Sequence, residues 1–395
     1  MSDSKKVCVF LGSRANYSSL KSIMTEVIRS EALELVLFVG ASALLDKYGE
    51  VVDLVEADGF RVDEKVYMLV EGENLVTMAK SAGLGLLEFP RLFDKYRPDY
   101  TLVVGDRFEM LSVAVASLYM NVPVVHTMGG EFSGTVDETI RHAITKMSHV
   151  HFVANEMAMR TVLQMGEDPN LVFNVGCPRM DAVREILERP FNKDEINHLI
   201  RSDGVGAVFD VDSEFLLVLQ HPVTTEFGQG EQQINETLKA VHSVAESRDV
   251  PVIMLWPNAD AGSDDVARGI RKFRERGLDR NFHFFKNLPL ELYVQLMAHT
   301  SCLVGNSSSG IREGAFIGTP VVNVGTRQDN RARGANVIDV GYDATQIEEA
   351  ILKQVEHGRY PSDPVYGSGD AGAKIAKILA EVEVPVQKKF HVRDF

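Results

Sequence analysis

The chain has 395 residues, of which 45% are hydrophobic and 25% charged, and 41 Lys plus Arg stand against 56 Asp plus Glu for a formal net charge of −15. These proportions exclude a disordered or fibrous chain, and the acidic balance disfavours a nucleic-acid scaffold while leaving room for a local basic pocket that takes an anionic small molecule. At about 100–200 residues per domain, the length allows two or three domains, each able to bury its own core.

Met1 to Lys6 are polar and charged, and the apolar stretch Val7 to Leu11 is too short for a signal-peptide core. That stretch predicts a strand; Gly12-Ser13-Arg14 turns the chain, and apolar residues at 20, 23, 24, 27 and 28 predict a helix over Tyr17 to Arg29. Further strands are expected at Leu33 to Gly40, at Tyr100 to Gly105 after the breaker Arg97-Pro98-Asp99, at Val122 to Met128 and at Val150 to Ala154. A second series begins after Pro190: Phe215 to Gln220, Val250 to Trp256, Phe282 to Phe285, Cys302 to Gly305, Val321 to Val324 and Val337 to Val340. Helical spacing fills stretches such as Gln232 to Ser247 and Ile347 to Glu356. Alternating strands and helices predict an α/β protein made of two doubly wound Rossmann-like domains facing across a cleft. The expected division is 1–188 and 189–375, with a hinge near Pro190 to Asn192. A tail, 376–395, ends in a basic and aromatic stretch suited to docking. No run approaches the roughly 20 apolar residues of a membrane span. Cys8, Cys177 and Cys302 lie too far apart to suggest a disulfide framework or a zinc site, so a reducing cytoplasm is expected.

In open α/β sheets, ligands collect at the carboxyl ends of the strands, and the polar clusters nearly all follow a predicted strand. Arg14 occupies that position after the first strand, and Gly105-Asp106-Arg107 after a later one, where the Asp-Arg pair reads as chemistry or as a surface salt bridge. In His126-Thr127-Met128-Gly129-Gly130-Glu131 the histidine is either a ligand contact or a buried core residue, and the double glycine suggests close backbone approach or positive φ. Asp137, Glu138 and Arg141 share one helical stretch, with Asp137 and Arg141 at i,i+4 spacing. Pro222 stops a strand and presents His221 at its tip, to meet a phosphate or sugar hydroxyl or to serve as a turn histidine. From Leu303 to Glu313 a strand, a glycine-bounded serine turn and a helix start follow in order, which fits an ordinary serine cap or a pyrophosphate cradle of N–H and hydroxyl groups. Glu313, one turn into that helix, suits a ribose diol, and Arg327 and Arg331 can add the positive charge phosphates require. There is no G-x-G-x-x-G after the first strand, no P-loop and no nucleophile elbow. His149 and His151 share a strand face but no further ligand completes a set, so no metal is expected.

Taken together, Gly12 to Tyr17 (GSRANY), Gly105 to Glu109 (GDRFE), Gly129-Gly130-Glu131, Asp137 to Ile144 (DETIRHAI), His221 to Thr224 (HPVT), Gly305 to Gly310 (GNSSSG) and Gly325 to Gln328 (GTRQ) carry a resemblance that covers about Val7 to Phe390. They resemble the hydrolysing UDP-N-acetylglucosamine 2-epimerases of sialic-acid and related nonulosonate biosynthesis. The resemblance implies a glycosyltransferase-B-type fold, a homo-oligomer, and a nucleotide-sugar substrate handled without a cofactor. The nucleotide would be held mainly by the second domain, with the sugar between the domains. By position, Ser307 and Ser308 would hold the diphosphate, Glu313 the ribose, and Arg14 and Arg327 the phosphate charge. Asp106, Glu131, Asp137, Arg141 and His221 would surround the sugar, and Arg107, His126, Asn306, Gly310 and Arg331 complete the binding candidates.

On this footing Asp106 and Glu131 are the expected acid/base pair, with Asp137 orienting Arg141 or the sugar and mutual repulsion separating the carboxylate pKa values. Two positions depart from the pattern: Met128 stands where relatives often carry Glu or His, and Asn16 where many have Asp. Met128 cannot move a proton, so that duty falls on another carboxylate or the substrate differs. The alternatives are a 2,4-diacetamido-trideoxy or GDP-linked donor, a non-hydrolysing epimerase, a glycosyltransferase, or a nucleotide-sugar sensor.

Overall fold

Val7 to Leu11 are wholly buried in a strand flanked by two others, because an unbroken apolar run can be accommodated only where both faces of a parallel sheet are covered. The computed structural model describes residues 4–46, 51–71, 75–133, 136–212, 214–257 and 262–392. Within these, the chain separates into two α/β units.

The first unit takes Met1–Phe132, Val136–Ala182 and Gly367–Phe395. Its strands are β1 (Lys5–Leu11), β2 (Leu33–Gly40), β3 (Glu64–Val66), β4 (Tyr100–Val104), β5 (Val124–Thr127), β6 (Val150–Val153) and β7 (Val172–Asn174), in the order β3-β2-β1-β4-β5-β6-β7. All pair in parallel; β1 meets β2 at Val7↔Leu35 and β4 at Val7↔Tyr100. The order reverses between β1 and β4, the switch point at which doubly wound sheets open a crevice. Ser13 caps the helix Arg14–Arg29, its hydroxyl accepting the Asn16 N–H, and Tyr17, Leu20, Ile23, Met24 and Val27 form the buried stripe.

The second unit is built on Val183–Tyr366. It contains β8 (Val205–Gly206), β9 (Leu216–Leu219), β10 (Val252–Leu255), β11 (Phe282–Phe285), β12 (Cys302–Gly305), β13 (Val321–Val324) and β14 (Val337–Val340), ordered β14-β13-β12-β9-β10-β11-β8. Only β8, a two-residue edge, runs antiparallel. Leu216 and Val218 enter one buried cluster and Leu217 and Leu219 another, the alternation that puts successive side chains on opposite faces. Here the order reverses between β9 and β12.

The units divide earlier than the sequence suggests. Pro190 and Asn192 are bonded into the second unit: Gln295 Nε2 donates to the Pro190 carbonyl at 3.2 Å, and Asn192 caps the helix Lys193–Ser202. This stretch is therefore a structured part of that unit and not a linker. The chain returns to the first unit at Gly367, so the helix Ala371–Glu381 belongs there in part of the range assigned to the second domain. Both ends of this helix are tied down. Asp181 accepts the Ala371 and Gly372 N–H groups at 2.9 and 2.7 Å, and Lys5 Nζ donates to the Leu379, Ala380 and Val382 carbonyls. Gly372 is required for the close packing, since a Cβ there would lie 2.8 Å from the Ser22 carbonyl carbon. The tail beyond it docks on the first unit, His391 N–H donating to the Gly166 carbonyl at 2.9 Å; residues 393–395 lie outside the described part.

Candidate active site

In the first unit the loops after β1, β4 and β5 gather at the carboxyl edge of the sheet, and one side chain joins two of them. Arg141, from the helix Val136–Met147, is 5% exposed; Nη2 pairs with Asp106 and Nη1 donates to the Glu131 carbonyl at 2.5 Å. A buried guanidinium needs partners to offset its lost hydration, and its planar fork lets it hold two loops at fixed separation. The expected cluster of mutually repelling carboxylates therefore has a cation built into it. Glu131 is 7% exposed, Asp106 is half-buried, and Asp137 lies exposed on the first turn of the helix. Arg14 is exposed at the start of the first helix.

His126, one of the binding candidates, is a core residue. It is 1% exposed, its Nε2–H donates to the Gly105 carbonyl at 2.8 Å, and the Thr145 hydroxyl lies 3.2 Å from Nδ1. With both nitrogens engaged, the imidazole fixes the loop that carries Asp106. Burial drives its pKa down to about 3, outweighing the Gly105 bond that opposes the shift. Because the folded value lies below the unfolded 6.5, the stability that neutral His126 contributes is present above 6.5 and is lost as pH falls towards 3. His149 and His151, also lowered by burial, act in the same direction. The urea midpoint should thus decline from pH 7 to pH 5, and His126→Gln should flatten that slope; a midpoint level across this range would contradict the assignment.

Met128 takes the left-handed backbone region, φ 63°, and Gly130 follows at φ 77°. A Cβ on Gly130 would lie 2.5 Å from the Ala158 carbonyl oxygen, so the double glycine is set by this tight passage. One buried ionic position escaped the sequence reading. Glu109 is wholly buried, its Oε1 accepts Arg107 Nε at 2.6 Å, and its side chain lies directly against Gly12. It fixes the exposed Arg107 at the switch point. The signal was its place three residues after Asp106, on the first turn of the helix Phe108–Tyr119.

In the second unit Asn306 performs the corresponding junction. Its Oδ1 accepts the His221 N–H at 2.7 Å and its Nδ2 donates to the His221 carbonyl at 2.8 Å, so the loops beyond β9 and β12 are stitched across the switch point. Its backbone carbonyl accepts Gln328 Nε2 at 2.9 Å and Arg327 Nη1 at 3.3 Å, bringing in the loop after β13. Asn306 is fully buried, and both groups of its side chain are engaged with His221, so it positions the two loops. Gly310 likewise packs against Val321, where a Cβ would come within 3.0 Å, and so serves helix–sheet packing.

The serine turn also differs from expectation. Ser307 caps a helix of only four residues, Ser308–Ile311, and a break at Arg312 separates it from Glu313–Ile317. One turn sums few peptide dipoles, so anion binding here depends on individual N–H and hydroxyl groups and little on a macrodipole. Ser307 Oγ lies 2.8 Å from Ser309 Oγ, which is 2.6 Å from the Tyr293 hydroxyl. Ser307, Ser308, His221 and Arg327 are half-buried, as is Arg331, whereas Glu313 is 4% exposed. Among the described residues no group of three His, Cys, Asp or Glu side chains is placed to hold a metal ion, and no helix is long and apolar enough to cross a membrane.

Two Rossmann-like units, each built on a largely parallel sheet with polar loops gathered at its carboxyl edge, make up a glycosyltransferase-B-like α/β fold. Residues 25–380 match the sequence profile of the UDP-N-acetylglucosamine 2-epimerase family, and the chain belongs to that family of enzymes. It is 33% identical over 387 residues to the UDP-N,N'-diacetylbacillosamine 2-epimerase (hydrolyzing) of Legionella pneumophila, with 97% of each chain covered. It is 31% identical over 337 residues to the GDP/UDP-N,N'-diacetylbacillosamine 2-epimerase (hydrolyzing) of Campylobacter jejuni, covering 85% of this chain and 84% of that one. The fold matches the crystal structure of the Neisseria meningitidis UDP-GlcNAc 2-epimerase bound to UDP-GlcNAc, with a TM-score of 0.77 at 17% identity over 95% of this chain and 100% of that chain.

Proposed function

We propose that the protein is a hydrolysing 2-epimerase that converts UDP-N-acetylglucosamine and water to N-acetylmannosamine and UDP. The observation that carries this reading is the Asp106–Arg141–Glu131 junction, which ties two carboxylate-bearing loops together at the carboxyl edge of the first sheet. The C2 proton of an N-acetylhexosamine is not acidic. When the C1–O bond to the β-phosphate breaks, its electron pair leaves with UDP, positive charge develops at C1, and the neighbouring C2 proton becomes removable by a positioned carboxylate. The product of this elimination is a 2-acetamidoglucal. Water then adds hydroxyl at C1 and hydrogen at C2 on the opposite face, giving the manno sugar.

Asp106 and Glu131 act as the acid/base pair. Ser307, Ser308 and Arg327 take the diphosphate, with Arg14 and His221 adding stabilisation of the charge that grows on the leaving group, and Glu313 takes the ribose. Cytoplasmic, homo-oligomeric action on a soluble nucleotide sugar fits this chemistry.

The relatives from Legionella and Campylobacter favour a second reading, a donor with a 2,4-diacetamido-trideoxy sugar on UDP or GDP. Met128, an apolar side chain after β5, is compatible with a deoxygenated sugar. One assay decides: each donor is incubated in deuterated water with no acceptor, and the products are followed by NMR. Free manno-configured sugar with deuterium at C2, together with released nucleotide, is expected. Epimerised sugar still attached to nucleotide would instead identify a non-hydrolysing enzyme, and untouched donors a transferase or a sensor.

A further inference from the structure

The proposed chemistry leaves a buried ion cluster in the first unit unused. Glu167 is 1% exposed; Oε1 accepts Lys146 Nζ at 2.6 Å, and Oε2 meets His151 Nε2 at 2.9 Å and Lys388 Nζ at 2.5 Å. Lys388 arrives from the far end of the sequence, and its ammonium also donates to the carbonyls of Lys146 and Ser148 at 2.7 Å and of Thr145 at 3.4 Å. Thr145 and Lys146 lie in the last turn of the helix Val136–Met147 and Ser148 just past it, where carbonyls run short of helical donors; the Thr145 carbonyl also accepts the Ser148 N–H at 3.1 Å. The tail around Lys388 is pinned at both sides. The Val386 carbonyl lies 3.1 Å from His149 Nε2, and Phe390 packs on Gly166 beneath Lys146 Nζ, 4.8 Å from the ring centroid.

The same helix supplies Arg141 to Asp106 and Glu131, and Thr145 to His126, which in turn holds Gly105. Every one of these contacts depends on the helix keeping its axial position and its last turn. We infer that the C-terminal tail is a strap that sets this helix, and that Lys388 is the positioning residue through which it holds the Arg141–Asp106 junction in working geometry. The inference rests on the proposed role of Asp106 for its catalytic consequence, but its structural part stands on the cluster alone. An ammonium suits the task, since three donors fan out to one carboxylate and the helix-terminal carbonyls together. Removing it would leave carbonyls of a helix end and a buried carboxylate short of a donor.

The test compares full-length Lys388→Met, Lys388→Arg and the exposed neighbour Lys389→Met with the native protein. Hydrogen exchange is read over residues 137–147, alongside kcat and KM for the donor that is turned over and the Kd for UDP. In Lys388→Met, exchange over 137–147 should rise about tenfold and kcat fall about tenfold, with KM and the UDP Kd within about twofold of native. Lys388→Arg should recover most of kcat, and Lys389→Met should match the native protein. If Lys388→Met does not fold, Phe390→Ala, which loosens the strap without touching Glu167, carries the same expectation at smaller amplitude. Native exchange over 137–147 in the folded variant overturns the inference, as does a rise spread evenly over both sheets. If the native protein turns over no nucleotide sugar, the functional reading fails, while the exchange measurement still decides the strap.

Discussion

Replacing Asp106 with Asn should lower the rate of UDP release by roughly a thousandfold while leaving the UDP Kd nearly unchanged. Asn keeps an oxygen that can accept from Arg141, so the loop after β4 stays in place, but it cannot take a proton from C2. In the proposed arrangement the diphosphate is taken chiefly by Ser307, Ser308 and Arg327, and Asp106 acts on the sugar. The loss should therefore appear in kcat and not in nucleotide affinity. Arg141→Met makes the contrasting case: the carboxylate survives, yet the bonds to Asp106 and to the Glu131 carbonyl are lost and both loops are released. It should cost activity of similar size together with stability, because a buried polar junction is left half-made. Steady-state UDP release, calorimetric UDP titration and urea unfolding separate the two variants. An Asp106→Asn enzyme within threefold of the native rate would remove Asp106 from the chemistry.

Asn306→Ala should destabilise the protein by about 2–4 kcal/mol and weaken UDP binding at least about tenfold. The side chain makes one bond as acceptor and one as donor to the backbone of His221, and Ala leaves both backbone groups of that residue without their partner. The loop bearing His221 and the turn bearing Ser307 then lose the two-bond side-chain link that Asn306 makes between them, and the cradle loses preorganisation. Asn306→Asp tests the same point: it retains the acceptor but turns an oxygen on the His221 carbonyl, so it should fare little better than Ala. Urea unfolding and UDP titration of the two variants provide the check, and native affinity in Asn306→Ala would show that the stitch plays no part in binding.

Most of the fold could be read from the chain directly. Runs such as Val7 to Leu11 and Phe282 to Phe285 are apolar on both faces, which only a covered parallel strand tolerates, and they fall where strands are found. The missed strands β3, β7 and β8 are two or three residues long and lie at or near sheet edges, where the pairing of neighbours and not their own composition makes them strands. The boundary at Ala182 and the return at Gly367 were invisible for a related reason. Nothing local distinguishes the Ala371–Glu381 helix from its predecessors; its membership follows from Asp181 and Lys5, which lie far away in sequence and cap its two ends.

The site divides along the same line. Residue types and their places after strands are local properties, so Asp106, Glu131, Arg141, His221 and the serine turn could be named as candidates from the sequence by itself, and the family resemblance could be seen there too. Which of them are buried with their polar groups already engaged is decided by packing. His126 and Asn306 are buried with their side-chain polar groups engaged by other residues of the chain, and the buried Glu109 pairs with Arg107. The physical reason is that a hydrogen bond between residues distant in the chain has no counterpart in periodicity or composition. It exists only once the sheets have closed and water has been excluded from both partners.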